Sequence, residues 1–316
     1  MNGAERKIEI FKPFGEAFEL TKKILFQPFD IGKWFVIGFA AFLASFSSGM
    51  NFNFNPRGFK DADWHTSWSS HSFSQNVIGG ESAWPFWVIP LIVVLVLLFV
   101  TFVVVLLWLG ARGRFIFTNC IVRNRGAIVE PWREYRTEGN SFFFFSLLVG
   151  LIVLVIVILA MLPRIIPALI RGTKVSFDIG MTFGVIFLVG VIVVLALGWA
   201  LVSQLMVPVM YRQRCRAISA FRQVAGQITT YPGPFILYFL FYFVLIIAVA
   251  IIGCGSVCLT CCITAIPYIG TVILLPIPVC LHSFTLLFVR QLGPDYDAWG
   301  NITPPEPPPV PEALPA

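Results

Sequence analysis

Charged residues are scarce in this chain of 316 residues: Asp, Glu, Lys and Arg make up 12% of it, against about a quarter of an average soluble domain. Two long stretches, 84–110 and 180–211, contain none at all. An apolar run of this length is typical of a membrane-spanning helix, because about 20 residues cross a hydrocarbon core roughly 30 Å thick. The scarcity excludes a soluble globular fold, and we expect an integral membrane protein of the all-α class.

Catalytic motifs are also missing. The chain has only three histidines, His65, His71 and His282, and it shows no phosphate-binding loop, no Gly-flanked serine nucleophile and no His-Glu metal helix. The sequence therefore predicts a protein that is not an enzyme and that needs no cofactor. The net charge of +6 does not indicate nucleic-acid binding, since Lys and Arg mark the cytoplasmic loops of a membrane protein.

Two functions of different classes fit these absences. The first hypothesis is a non-catalytic role in membrane organisation, lipid interaction or partner binding, with a protein partner or a second copy of the chain as possible partners. The alternative is a transporter or channel for a small uncharged solute. A membrane redox or metal protein is a more distant third.

Six apolar segments are candidate membrane spans. We expect them to form one polytopic helical bundle over residues 1–300, followed by a disordered, proline-rich cytoplasmic tail over 301–316, since polyproline segments do not build a packed core. The predicted spans are 32–46, 84–110, 142–162, 182–206, 235–262 and 268–289.

The basic residues indicate the orientation of this bundle. Of the 22 Lys and Arg residues, most precede the first span, follow the sixth, or lie in the loops after the second and fourth spans. The loop after the second span is predicted to begin with Arg112 and Arg114. Because cytoplasmic loops are enriched in Lys and Arg, both termini are predicted to be cytoplasmic, in a bacterial inner (plasma) membrane. The polar stretch 51–83 is then an outer loop.

Three basic segments precede spans one, three and five and show apolar residues at helical spacing. Such helices lie in the membrane interface, where their basic and aromatic residues meet anionic headgroups; the alternative is that each packs on the cytoplasmic side of its own protein. One interfacial helix plus two spans, three times over, suggests a threefold parallel repeat. The predicted lipid-interface residues are Lys22, Lys23, Lys33, Trp34, Trp132, Arg133, Arg136, Arg214, Arg216 and Arg222.

A cysteine-rich stretch, GCGSVCLTCC over 253–262, ends the fifth span. On a helix its four cysteines share one face, which is the geometry of a packing stripe and equally that of a ligand stripe. We favour packing, since small residues let membrane helices approach closely and one straight helix offers a metal at most two ligands. We predict no metal site; the weak candidates for one are Cys254, Cys258, Cys280 and His282.

A few polar residues are predicted to lie inside spans. His282 follows Pro276 and Pro278, which should break the sixth helix, and Gln204, with Ser203, lies at the end of the fourth span. Together with Ser283 these are the only residues that we identify as a possible lining for a transport path. For His282 itself we favour the simpler interpretation, a neutral histidine hydrogen-bonded to a neighbouring helix.

Three motifs carry a resemblance to a known group of proteins: ILFQPFDIGKWFVIGF from Ile24, VEPWREY from Val129, and PYIGTVILLPIPVCLHSFTLLFVRQLGPDYDAW from Pro267. In these the chain resembles a bacterial six-span membrane family of unknown function, similar to the membrane domain fused to some glycerophosphoryl diester phosphodiesterases. The resemblance covers most of the chain and implies a helical membrane domain. It implies no activity, because the metal-binding motifs of the phosphodiesterase domain have no counterpart here.

Overall fold

The computed structural model of the chain describes residues 9–48, 87–171, 179–259 and 266–301. These residues form ten α-helices and two short 3-10 turns, with no strand among them. The predicted outer loop and nearly all of the proline-rich tail lie outside the described residues. The helices are α1 Phe11–Phe26, α2 Ile31–Ser48, α3 Val88–Val122, α4 Val129–Glu134, α5 Arg136–Arg171, α6 Ile179–Gln213, α7 Ala217–Thr230, α8 Pro232–Leu259, α9 Pro267–Ile273 and α10 Pro276–Arg290.

Four helices are long and apolar enough to cross a membrane, at Val88–Val122, Arg136–Leu162, Ile186–Gln213 and Pro232–Ser256. They overlap the four central predicted spans. Their apolar surface is turned outward. On α3, for example, every side chain from Leu91 to Val100 is at least half exposed. A helix that is apolar on all sides needs an apolar surrounding, so these segments mark a membrane protein.

The first and sixth predicted spans are shorter helices. Helix α2 has 18 residues, and the sixth segment is divided into α9, with 7 residues, and α10, with 15. The division falls at Leu274 and Leu275, just before Pro276. Proline has no N–H with which to continue the hydrogen bonds of the preceding helix, but it fits the first turn of a new helix, whose N–H groups lack intrahelical partners. The predicted break is therefore present, whereas the lengths of these helices leave a count of six spans unconfirmed.

Helix α3 corrects one boundary. We predicted that the second span ends at Gly110 and that Arg112 and Arg114 begin a cytoplasmic loop, but the helix continues to Val122, and the two arginines are 7% and 6% exposed. The prediction was wrong because it took charge as the sign of a loop. This part of α3 lies inside the protein, where neighbouring helices supply hydrogen-bond acceptors for both side chains.

The helix ends that carry the basic segments meet at one end of the bundle, which we call the polar end. Hydrogen bonds and ion pairs there link segments that are far apart in sequence. They join Lys33 to Asn124, Glu134 to Arg214, Glu9 to Gln291, Gln213 to Asp295 and Gln227 to Tyr296. The grouping that the basic residues predicted is thus present as contacts.

The buried core lies toward the polar end, in the halves of α3, α6, α8 and α10 nearest to it. The most extensive helix contact in the described part of the chain joins α2 to α3. It depends on Gly113, where a Cβ atom would lie 2.7 Å from the backbone nitrogen of Ala44. Small residues at a contact allow such close approach between membrane helices.

Candidate functional site at the polar end and in the cavity above it

Seven of the ten predicted lipid-interface residues are exposed cations at the polar end, and one of them, Arg214, is paired with Glu134, which leaves six. None of the six forms an ion pair within the described residues, so their charges are available to a ligand. They are Lys22, Lys23, Arg133, Arg136, Arg216 and Arg222.

Helices α1 and α7 combine apolar and basic residues on their outer surfaces. Helix α1 buries Ala17 and Ile24 in the core and leaves Phe18 61% exposed beside Lys22. Helix α7 buries its own alanine face and leaves Ile218 60% exposed, with Arg222 one turn further on. An exposed apolar side chain next to a cation is the pairing that a membrane interface accommodates.

Lys33 and Trp34 are used inside the protein. The Lys33 ammonium donates hydrogen bonds to the carbonyl oxygen of Ile24 and to Asn124 Oδ1, both at 2.7 Å. The Trp34 indole N–H donates to the carbonyl oxygen of Val272 at 2.9 Å. Both residues hold α2 against its neighbours, so their polar atoms already have partners within the protein.

Arg214 and Trp132 are also held by protein contacts. Arg214 pairs with Glu134, approaches Glu138 Oε1 at 3.6 Å and lies 3.9 Å above the Tyr135 ring. Burial raises the pKa of the Tyr135 phenol, so this hydroxyl stays neutral and its ring remains a neutral platform for the guanidinium. Trp132 lies 5.0 Å from the Arg112 guanidinium. The charge of Arg214 is therefore already paired within the protein, unlike the charges of the other six exposed cations.

Above the polar end, α2, α3, α6, α8 and α10 line a partly open cavity of about 80 Å³. A space of about 10–15 Å³ by this measure holds one water molecule, so the cavity admits a group several times larger. Its polar lining consists of five side chains, and the rest of the lining is apolar. The five are Ser45, Arg114, Gln204, Tyr242 and His282.

Arg114 is the one cation among these five. Nη1 donates a hydrogen bond to Ser203 Oγ at 3.0 Å, and Nη2 donates to the carbonyl oxygen of Ser47 at 2.7 Å. Its guanidinium also lies 5.1 Å from the centre of the Phe142 ring. No carboxylate of the described residues pairs with it, so two neutral oxygens and an aromatic face surround a full positive charge.

His282 lies beside Arg114 through one shared contact. The Thr118 hydroxyl donates its proton to the carbonyl oxygen of Arg114 at 2.8 Å. The hydroxyl oxygen, Thr118 Oγ1, also lies 2.8 Å from His282 Nε2. Because a hydroxyl has one proton to donate, His282 is the donor in the second contact. This arrangement is the bonded histidine that we favoured, placed at the wall of a cavity.

The structure gathers the predicted transport-path residues closely. Gln204 and His282 line the cavity, and Ser203 binds its arginine. Ser283 is buried, and its hydroxyl has no hydrogen-bond partner among the described residues. Four residues identified from two predicted spans therefore lie in or next to one region of the core.

The metal candidates do not converge in the described part of the chain. No group of three or more His, Cys, Asp or Glu residues there could hold a metal ion. Cys254 is exposed, and a Cβ added at the adjacent Gly255 would meet no atom within 4 Å. This part of the cysteine-rich stretch does not show the close packing that we favoured, and the side chain of Cys258 lies outside the description.

Sequence reasoning missed Arg114 and Tyr242. The available signal for Arg114 was the segment FIFTNCIV after it, which carries no charge and is mostly apolar to Val122 and so allows the helix to continue. For Tyr242 no local signal exists, because FLFYFVL gives the same apolar pattern on every face of α8.

Comparison with known proteins places the chain in one family. A family model described as a family of unknown function (DUF7544) matches residues 9–293, and the chain belongs to that family. No curated protein and no solved structure gives a significant match. The similarity to the phosphodiesterase-fused membrane domain is not among these findings and stays a prediction.

Proposed function

We propose, for a chain whose family carries no assigned function, that it is a non-catalytic integral membrane protein that binds anionic lipid headgroups at its polar end. The observation that supports this is the group of six exposed, unpaired cations beside exposed apolar side chains of α1 and α7. Each basic residue near an anionic surface contributes about 1 kcal/mol of attraction. In this proposal α1, α4 and α7 are the interfacial helices, and each begins one unit of a threefold parallel repeat.

Neutralising the six cations should remove the preference for anionic lipid. The full chain, reconstituted in equal parts phosphatidylglycerol and phosphatidylcholine and extracted in mild detergent, should retain mainly phosphatidylglycerol. Combined Gln substitutions should lower that preference about fivefold for each charge removed, the equivalent of about 1 kcal/mol per charge. The substituted residues are Lys22, Lys23, Arg133, Arg136, Arg216 and Arg222.

The matched control replaces Arg123 and Arg125 with Gln. Both already pair with Glu130, at 3.1 and 2.7 Å, so their loss should leave the lipid preference nearly unchanged. Equal lipid retention by the sixfold variant and the wild type would refute headgroup binding by these residues.

The proposal includes an orientation, with the polar end and both termini in the cytoplasm of a bacterial inner membrane. It follows from the enrichment of Lys and Arg in cytoplasmic segments. A cysteine at Arg133, exposed at the polar end, should react with a membrane-impermeant maleimide in inside-out vesicles and not in intact cells, after subtraction of the parent chain's labelling. Labelling in intact cells would reverse the orientation.

A transporter or channel is the second candidate, and the cavity is the observation that favours it. A transport site needs a polar space inside the bundle, and Gln204, Tyr242 and His282 supply one. Our sequence hypothesis specified a small uncharged solute, whereas the adjacent guanidinium of Arg114 is better matched to a charged one. Solute flux through proteoliposomes separates this candidate from lipid binding alone.

A further inference from the structure

We propose that the cavity at Arg114 is a binding site for a small monovalent anion, a halide or a carboxylate. The site is separate from the headgroup surface at the polar end and does not depend on it. It would supply the solute site of the second candidate function.

The position of the charge is the first argument. Arg114 precedes Asn124 by ten residues, which places it about 15 Å from the polar end along α3 at 1.5 Å per residue. Arg114 is only 6% exposed. Arginine stays protonated in proteins, and an ionised group at this depth is costly unless it has a partner, which makes it a functional-site hypothesis by default.

The lining is the second argument. Arg114 has five N–H donors, and the described residues offer it two neutral oxygens, from Ser203 and Ser47. No carboxylate lines the cavity within the described part of the chain. The other polar groups at the wall include the Tyr242 hydroxyl and the Gln204 amide, both of which can donate hydrogen bonds. A cation with donors around it and no anion is complementary to a small anion.

The size of the space sets the ligand class. About 80 Å³ exceeds what one water molecule needs several times over, so chloride or a carboxylate group fits. The hydroxylated chain of gluconate would lose its hydration against the apolar part of the lining, which makes gluconate a weak competitor for the site. A carboxylate can arrive free in solution or as the head of a fatty acid whose chain lies along the exposed apolar halves of the helices. The two sources share the same chemistry at Arg114.

The test measures the thermal unfolding of the full chain in nanodiscs of phosphatidylcholine alone, which removes headgroup charge from the experiment. At constant ionic strength, replacing sodium gluconate with sodium chloride or acetate should raise Tm by on the order of 5 °C when the anion is about 100-fold above its Kd. The rise should saturate with concentration. A Tm that is independent of the anion overturns the proposal.

The Arg114→Gln variant should lose the anion-dependent rise, while Arg112→Gln, the same substitution on the same helix outside the cavity, should keep it. If Arg114 were only structural, Arg114→Gln would unfold at a lower temperature and still respond to chloride, and the proposal would fail.

Should Arg114→Gln not fold, Gln204→Leu retains the charge and removes one lining donor. That variant should raise the half-saturating anion concentration about tenfold, and an unchanged concentration would count against the site.

A further arm identifies the source of the anion. Acetate and decanoate acting at similar concentrations would indicate a soluble carboxylate or halide. Decanoate acting at a far lower concentration, through Arg114 and not Arg112, would indicate a lipid-borne carboxylate. Both results support an anion site. If the wild type responds to neither acetate nor decanoate, the site is rejected.

Discussion

Replacing Gly113 with leucine should separate α2 from α3 and lower the free energy of unfolding by about 3 kcal/mol, the upper part of the range for overpacked cores. A Cβ atom there would lie 2.7 Å from Ala44 N, from the carbonyl carbon of Leu43 and from Leu43 Cβ. Two of these three atoms belong to the backbone of α2 and cannot rotate away. The whole helix would have to move.

Gly150→Leu on α5 is the matched control. A Cβ at Gly150 meets no atom of another described segment within 4 Å, so the substitution should change stability only through helix propensity, in leucine's favour by up to about 1 kcal/mol. Thermal unfolding of both variants in the same nanodiscs measures the difference. Equal stability of the two variants would show that α2 and α3 do not approach as closely as described.

This substitution also bears on the cavity. Arg114 follows Gly113 directly, and its Nη2 donates to the carbonyl oxygen of Ser47 at the end of α2. Displacement of α2 removes that acceptor and moves Ser45 and Ala44 from the cavity wall. We expect Gly113→Leu to lose the anion response along with stability, although Gly113 does not line the cavity.

The apolar runs and the prolines made much of the helix pattern predictable. Uncharged stretches of about 30 residues leave few structures other than a spanning helix, and the missing N–H of Pro276 made the break before α10 predictable. The meeting of basic segments at one end also follows from sequence, because consecutive spans must reverse direction. These features depend on local composition or on simple connectivity.

The position of Arg114 could not be obtained in that way. A local pattern shows that a residue is charged, and it does not show whether Ser47 and Ser203, which are 67 and 89 residues away, will lie within hydrogen-bond distance. The same limit explains Lys33, whose acceptor Asn124 is 91 residues distant. Functional side chains in this bundle are set by long-range contacts, whereas its helices are set by short-range ones.

Replacing Tyr238 with alanine is expected to have the largest effect of a single truncation in the core. Tyr238 is fully buried on α8, its ring stacks 4.2 Å from Phe288 and 5.4 Å from Phe284, and its hydroxyl lies 2.9 Å from Thr285 Oγ. Removal of a large buried aromatic side chain costs about 3–5 kcal/mol, through lost contacts and the cavity left behind. Thermal or denaturant unfolding in nanodiscs measures this loss.

Tyr238→Phe separates the ring from the hydroxyl. It keeps the stacking on α10 and loses one hydrogen bond, which is worth about 1 kcal/mol, and Thr285 retains its bond to the carbonyl oxygen of Leu281. Since α8 carries Tyr242 and α10 carries His282 to the cavity, a loosened α8–α10 contact should weaken anion binding in Tyr238→Ala and spare it in Tyr238→Phe. If the two variants were equally unstable, the hydroxyl rather than the ring would hold these helices together, and the cavity wall would depend on one polar contact.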